Sequence, residues 1–255
     1  MITAGIDVGL EYTKAVIMKD GQVAGKACGL SGGAGRPAAV KAIYDQALKA
    51  AGVGAGDVTK VIATGKGKFD VDFAADQLSE TLTAAKAARL ANPDVTTAID
   101  IGADEIVVVT LDGDKITEFV INQKCGAGLG LMLGGIAERF DMSIEDVGAQ
   151  AGPGSVKVDD GCIVCMELDA LSLANRGTDL KEIVKALNVA CAWRANSTLN
   201  DIYKPSKNCV VLMGGMVKNG AFVKALEEVS GITFVKHADP EYAGASGAAA
   251  LAAAS

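Results

Sequence analysis

Two short segments of the chain carry a carboxylate into a glycine turn in the same way. Thr3-Ala4-Gly5-Ile6-Asp7-Val8-Gly9 near the start returns as Thr97-Ala98-Ile99-Asp100-Ile101-Gly102. In each, an apolar strand-like run delivers the aspartate, and a second β-rich run follows, Thr13 to Met18 and Ile106 to Leu111. Asp20-Gly21 and Asp112-Gly113 then supply turns that suit hairpins. A strand that ends in Asp-x-Gly leaves its carboxylate at the mouth of a sheet, beside backbone N–H groups placed to hold phosphate. Either copy alone reads equally well as a β-turn with a solvated aspartate. Two copies at matching positions would face each other as a clamp for the phosphates of a nucleotide and its magnesium.

Each residue of that clamp has a chemical reason. Asp7 and Asp100 are short carboxylates suited to Mg²⁺, directly or through water, because this ion takes few protein oxygens and keeps its waters. Gly9 lets the backbone approach an anion, and Lys14, just past the turn, supplies a positive charge. Gly214-Gly215, after a strand and before a helix, offers a third close backbone approach on the ribose and adenine side, although such pairs are common after strands. A GxxxxGK[ST] phosphate loop is absent.

Cysteines are the second group able to do chemistry. Cys125 stands in Lys124-Cys125-Gly126-Ala127-Gly128 at the threshold of a helix, and Cys162 stands in Asp160-Gly161-Cys162-Ile163-Val164-Cys165, also just before one. A thiol at a helix N-terminus feels the positive end of the dipole, which favours the metal-binding thiolate. Small neighbours would admit a bulky inorganic group. Cys162 and Cys165 form a CxxC, but without a second pair this is incomplete for zinc or a two-pair cluster. Cys28, Cys191 and Cys209 fall within strand or helix patterns, where core packing accounts for them. Two exposed cysteines cannot complete a four-thiolate cluster, whereas a twofold dimer would supply four.

The elements that would position these groups follow a repeated order. Strands at Ile2–Asp7, Thr13–Lys19 and Gln22–Cys28 precede a helix from about Ala38 to Ala51, a strand at Thr59–Thr64 and a helix from about Asp76 to Leu90. In that last helix Leu78, Leu82, Ala85 and Leu90 have helical spacing, and Pro93 ends it. Strands at Thr96–Asp100, Glu105–Leu111 and Lys115–Ile121 reopen the series. Helices are expected over 129–140, 141–150 (introduced by Ser143), 164–174 and 180–201. A strand at Cys209–Met213, a helix at 220–229, a strand at Ile232–Val235 and an Ala-rich terminal helix complete it. This describes a duplicated α/β architecture. The expected division is an N-terminal lobe over 1–92, completed by the C-terminal helix 242–255, and a second lobe over 93–241 that carries the cluster cysteines.

Composition narrows the function classes. At 255 residues, half of them hydrophobic, the chain has ample core, drawn from Ala, Val, Ile and Leu rather than aromatics. A net charge of −7 and the lack of a basic stripe with interleaved aromatics exclude a nucleic-acid surface. No run approaches the roughly eighteen apolar residues of a membrane span, and no secretion signal opens the chain, so a cytoplasmic protein without membrane partners is expected. Six cysteines in that compartment are not disulfide staples.

The chain resembles the activator ATPases of 2-hydroxyacyl-CoA dehydratases and the ATP-hydrolysing subunits of benzoyl-CoA reductases, within the actin/Hsp70/sugar-kinase superfamily. The anchors run nearly end to end: Gly5-Ile6-Asp7-Val8-Gly9 with Lys14, Ala63-Thr64-Gly65-Lys66-Gly67, Ile99-Asp100-Ile101-Gly102, and Lys124-Cys125-Gly126-Ala127-Gly128. Cys162 with Glu167, Arg176-Gly177, Met213-Gly214-Gly215 and Tyr242-Ala243-Gly244-Ala245 continue them. The aspartate turns are common to the superfamily; Lys-Cys-Gly-Ala-Gly with the later cysteine marks this branch.

The resemblance implies duplicated ribonuclease-H-like lobes with a nucleotide cleft between them. It implies ATP, Mg²⁺ and a [4Fe–4S] cluster as cofactors, the cluster bridging a dimer through Cys125 and Cys162 of each chain. ATP hydrolysis would then reshape the dimer and push a low-potential electron into an iron–sulfur acceptor enzyme. The partners implied are an identical chain or a paralogue, that acceptor, and a ferredoxin or flavodoxin donor. Three departures stand out. Leu10 and Glu11 replace small hydroxyl residues, leaving Thr13 as the nearby hydroxyl. Asp104 replaces a glutamine and becomes the candidate for positioning the hydrolytic water. Gly65-Lys66-Gly67-Lys68 replaces Gly-Tyr-Gly-Arg. Apart from these three, Cys165 falls where the family usually has an apolar residue. Two other readings stay open: a small-molecule kinase of the same superfamily, and a cluster-holding subunit that hydrolyses poorly beside an active paralogue.

Overall fold

The computed structural model describes residues 1–122, 128–204 and 209–254. Alternating apolar runs and tight turns build a first antiparallel meander from β1 (Ile2–Val8), β2 (Tyr12–Lys19) and β3 (Gln22–Leu30). Asp20 and Gly21 both have positive φ, at 51° and 81°, the conformation that matches the twist of a two-residue hairpin. Helix α1 (Arg36–Ala51) starts with Pro37 in its first turn and returns the chain to β4 (Lys60–Thr64), which runs parallel to β1. The short β5 (Asp76–Gln77) closes that edge, and α2 (Glu80–Ala91) follows.

The same plan then recurs. Strands β6 (Thr97–Ile101), β7 (Ile106–Asp112) and β8 (Lys115–Ile121) form the second meander. After it come α3 (Leu129–Arg139), α4 (Ile144–Ala149), α5 (Ile163–Asn175) and α6 (Leu180–Asn200). Strand β9 (Val210–Met213), α7 (Gly220–Ser230), β10 (Val235–Lys236) and α8 (Ala243–Ala254) end the chain. The sheets read β3-β2-β1-β4-β5 and β8-β7-β6-β9-β10, one order used twice. Even the register irregularities correspond, between Ile17 and Met18 on β2 and between Thr110 and Leu111 on β7.

Packing explains the alanine content. Helix α1 covers one face of the first sheet, where Val40, Ile43 and Tyr44 meet Ile6, Val8 and Ile17. The other face receives α8 through Ala245, Ala248 and Ala249. Helix α2 packs on α8 and places Ala84, Ala87 and Ala88 against Val107, Val109 and Met213 of the second sheet. The far face of that sheet carries the largest cluster, including Ile136, Ile183, Leu187, Leu199 and Phe222. Two alanine-rich helices thus lie between the sheets, and small side chains allow their close approach.

Three sequence expectations change here. Asp76 and Gln77 pair with β4 as an edge strand, so α2 begins only at Glu80, where the Ser79 hydroxyl accepts from the Leu82 N–H. The leucine stripe is not its core face: Leu82 and Leu90 are exposed, because α2 is wedged between α8 and a sheet and buries Thr83 and alanines instead. The last strand lies at Val235–Lys236 rather than 232–235. Among the described residues no helix is long and apolar enough to cross a membrane.

Candidate functional site

The two aspartate turns meet in one cleft, as the repeat implies. Asp7, Gly9 and Lys14 line it from the first sheet, and Asp100, Gly102 and Asp104 line it from the second. The turns share one internal bond: Gly9 N–H donates to Tyr12 O and Gly102 N–H to Glu105 O, both at 3.0 Å. Each glycine's own amide therefore shapes its turn, while both glycines line the cleft.

Behind each aspartate sits a glycine from the parallel strand beside it. Gly65 follows β4 with φ +88°, and a β-carbon there would lie 2.6 Å from Asp7 Oδ1. Gly214 follows β9 with φ +95°, and a β-carbon there would lie 2.5 Å from Asp100 Oδ1. The left-handed backbone and the missing side chain together let each carboxylate lie against the neighbouring chain. Gly214 accordingly supports Asp100; neither it nor Gly215 lines the cleft, and a β-carbon on Gly215 would meet nothing within 4 Å.

Thr13 is also behind the cleft rather than in it. It is fully buried, and its hydroxyl shares a 3.0 Å hydrogen bond with Ser31 Oγ, which donates to Gly9 O at 2.8 Å. This small network braces the first turn.

Electrostatics makes the cleft hungry for cations. Burial pushes the Asp100 carboxyl up to about 7, with the Asp7 charge adding to it and Lys14 opposing. Asp7 is raised too, chiefly by burial, although Lys14 Nζ lies 3.9 Å from its Oδ2. Glu11, Glu80 and Glu105 add further carboxylates to the lining. A divalent ion between the aspartates would offset their mutual repulsion, so the donor set fits Mg²⁺. Helix N-termini contribute fixed partial positive charge: α8 begins beside Asp7, where a β-carbon on Gly244 would be 3.2 Å from Oδ2, and the first turn of α2 lines the same space.

Spacing alone did not reveal the roles of Gly65 and Gly244. Gly65 had a signal, since Ala63-Thr64-Gly65 closes its strand as Met213-Gly214 closes the other. Gly244 comes from the last helix and had none beyond the Tyr242-Ala243-Gly244-Ala245 run.

Cys125 lies outside the described residues. Cys162 is the part-exposed N-cap of α5, and its N–H and that of Gly161 both donate to Asp159 Oδ1, at 2.6 and 2.9 Å. That carboxylate holds the two residues just ahead of the helix. Cys165, exposed one turn on, is held above its ordinary value by a hydrogen bond with Cys162. Cys191 is fully buried and pushed up to about 12, while Cys28 and Cys209 are part-buried. No group of three metal-ligating side chains occurs among the described residues.

The cleft is joined mechanically to this second site. Leu131 N–H, in the first turn of α3, donates to Ala103 O at 3.1 Å. A β-carbon on Gly130 would lie 2.8 Å from Ala103 Cα, so helix and turn are in contact. At its N-terminal end α3 begins after Gly128, where a β-carbon would touch Ile163 Cδ1 at 3.6 Å, one residue from Cys162. Arg139 near the end of α3 pairs with Glu167 of α5 at 2.5 Å.

Known proteins share the fold of this chain. The model of the BadF/BadG/BcrA/BcrD ATPase family matches residues 4–252. The activator of lactoyl-CoA dehydratase from Anaerotignum propionicum is 31% identical over 259 residues, covering 99% of this chain and 97% of that protein. A benzoyl-CoA reductase subunit of Thauera aromatica is 29% identical over 216 residues, 81% of this chain and 75% of that one. Among solved structures, the activator of 2-hydroxyisocaproyl-CoA dehydratase from Clostridium difficile with bound ADPNP superposes with a TM-score of 0.88 at 27% identity, covering 99% of this chain and 94% of that one.

Proposed function

The chain belongs to the BadF/BadG/BcrA/BcrD ATPase family, and on that premise we propose that it is an ATP-driven electron donor, the activator of an iron–sulfur acceptor enzyme such as a 2-hydroxyacyl-CoA dehydratase or a benzoyl-CoA reductase. In this reading Asp7 and Asp100 hold Mg²⁺ through its waters, and Lys14 neutralises phosphate charge. Asp104 orients the hydrolytic water. Gly215 receives the nucleoside side.

Cys125 and Cys162 of each of two chains would hold a [4Fe–4S] cluster, which supplies a low-potential electron when bound. The residues present suit it: Cys162 is accessible at a helix start flanked by Gly161, and Gly128, three residues after Cys125, packs beside Ile163. Val164 and Leu168, both exposed and one turn apart on α5, suit burial against a second chain, identical or a paralogue. A ferredoxin or flavodoxin would recharge the pair. Lobes 1–92 with 242–255, and 93–241, would close on the nucleotide.

The observation that carries this reading is the path of contacts from the cleft to the start of α5. The turn holding Asp104 is fastened to α3 at Ala103, and Gly128, just before α3, lies beside Ile163, the residue after Cys162. A change at the γ-phosphate that moved this turn would move the helices beside the cysteines. The test is magnesium-dependent ATP binding and turnover by the wild type beside Asp7→Asn and Asp100→Asn. Turnover lost in both variants supports the clamp; equal turnover in all three proteins refutes it.

A further inference from the structure

One ion pair crosses the mouth of the cleft. Lys66, in the loop after β4, places Nζ 2.5 Å from Oε2 of Glu105, in the turn before β7. The other ion pairs of the described cleft residues, Lys14–Asp7 and Lys68–Glu80, stay within the first half of the chain. Lys66–Glu105 alone among them ties the two sheets together.

The partners are unequal in a way that matters. The Glu105 side chain is only 16% exposed, so it needs a cation, whereas Lys66 is 46% exposed and its ammonium end can swing in water. The lining opposes six carboxylates, at Asp7, Glu11, Glu80, Asp100, Asp104 and Glu105, to the ammoniums of Lys14 and Lys66. Lys14 is held inward by Asp7 and by the Tyr12 carbonyl at 3.3 Å. A polyphosphate entering this acidic space meets one mobile cation at its mouth, and that cation already has an anionic partner.

We propose that Lys66 is a phosphate-sensing residue that exchanges partners, bound to Glu105 in the nucleotide-free chain and to the terminal phosphate once nucleotide enters. Glu105 is then a built-in competitor of the phosphate. Its release removes the tie between the two sheets, which frees the second turn, and α3 fastened to it at Ala103, to shift relative to the loop of Lys66. Nucleotide loading and the movement of α3 become one event. This deepens the ATP reading and rests on it.

The two partners predict opposite signs, which a purely structural pair does not. Calorimetric titration of wild type, Lys66→Gln, Lys66→Arg, Glu105→Gln and the double variant with Mg·ATP and Mg·ADP reads them, alongside nucleotide-free melting curves. Lys66→Gln is expected to weaken ATP about tenfold, equivalent to about 1.4 kcal/mol, with ADP weakened less and Lys66→Arg near wild type. Glu105→Gln is expected to tighten ATP about threefold, a fraction of a charged hydrogen bond's worth, while lowering the nucleotide-free melting temperature. The double variant should match Lys66→Gln. Unchanged ATP affinity in Lys66→Gln, or a Glu105→Gln that weakens ATP as Lys66→Gln does, overturns the exchange while leaving the ATPase reading intact. A wild type that binds no nucleotide overturns both.

Discussion

Replacing Gly214 with alanine places a β-carbon 2.2 Å from the Ile101 carbonyl oxygen and 2.5 Å from Asp100 Oδ1. Both contacts are about an ångström inside ordinary separation, and the nearer atom is backbone in the central strand of the second sheet, which cannot swing aside. The left-handed φ of +95° adds about 1–2 kcal/mol for a residue with a side chain, and forced repacking about 1–3 kcal/mol more. The sum, about 2–5 kcal/mol, corresponds to a melting temperature about 4–20 °C lower in a chain of this size. Asp100 is displaced in the process, so Mg·ATP affinity should fall further than stability alone explains. Gly215→Ala is the control, since nothing lies within 4 Å of its β-carbon and its φ is not positive. It should melt within about 0.5 kcal/mol of wild type and reduce nucleotide affinity only if that position receives the nucleoside. Thermal melting followed by circular dichroism, with binding of a fluorescent ATP analogue, reads both. A Gly214→Ala protein that melts and binds like wild type would refute the supporting role given to this glycine.

Further expectations concern charge, bracing and coupling. Because burial and Asp7 hold Asp100 near 7, Mg·ATP affinity should rise with pH through about 7 as Asp100 ionises, and Asp100→Asn should flatten the profile. The same raised value means that the group's contribution to nucleotide-free stability is present below about 4 and lost as pH rises through about 7, so melting without Mg²⁺ should fall across that window and do so less in Asp100→Asn. Ser31→Ala removes the partner of Thr13 and the donor to Gly9 O; it should cost about 1–3 kcal/mol, seen in urea titration, and weaken nucleotide binding through the loosened first turn. Gly130→Ala drives a β-carbon to 2.8 Å from Ala103 Cα and should separate α3 from the turn, sparing ATP binding while lowering ATP-driven reduction of the acceptor. Loss of binding in step with reduction would argue against the relay.

Much of this site was legible because the chain states it twice. Asp7 and Asp100 sit where an apolar strand runs into Asp-x-Gly, and the duplicated order β-β-β-α-β-α follows from periodicity and turns alone. Asp76–Gln77 and Leu82 misled for a physical reason. A helix wedged between another helix and a sheet selects small residues on its buried sides, so its leucines mark solvent rather than core. Thr13 and Gly214 were recognised as residues near the cleft but not as its supports, because distinguishing a ligand contact from the group behind it needs the third dimension. Lys66 stands in the Ala63-Thr64-Gly65-Lys66-Gly67 run, but nothing in that run pairs it with Glu105, and only the facing of the two halves brings them together. The Asp159 carboxylate beside Cys162 was equally hidden, since its reach to the Gly161 and Cys162 amides depends on the loop's path.

The most direct test of the central claim is iron and acid-labile sulfide per chain on protein purified without oxygen, beside its Cys125→Ala variant. A cluster shared by two chains predicts about two irons and two sulfides per chain, lost in the variant while the protein stays folded and binds ATP. Wild-type protein that is folded, binds ATP and carries no iron would contradict the electron-donor account and leave Cys125 and Cys162 with structural roles.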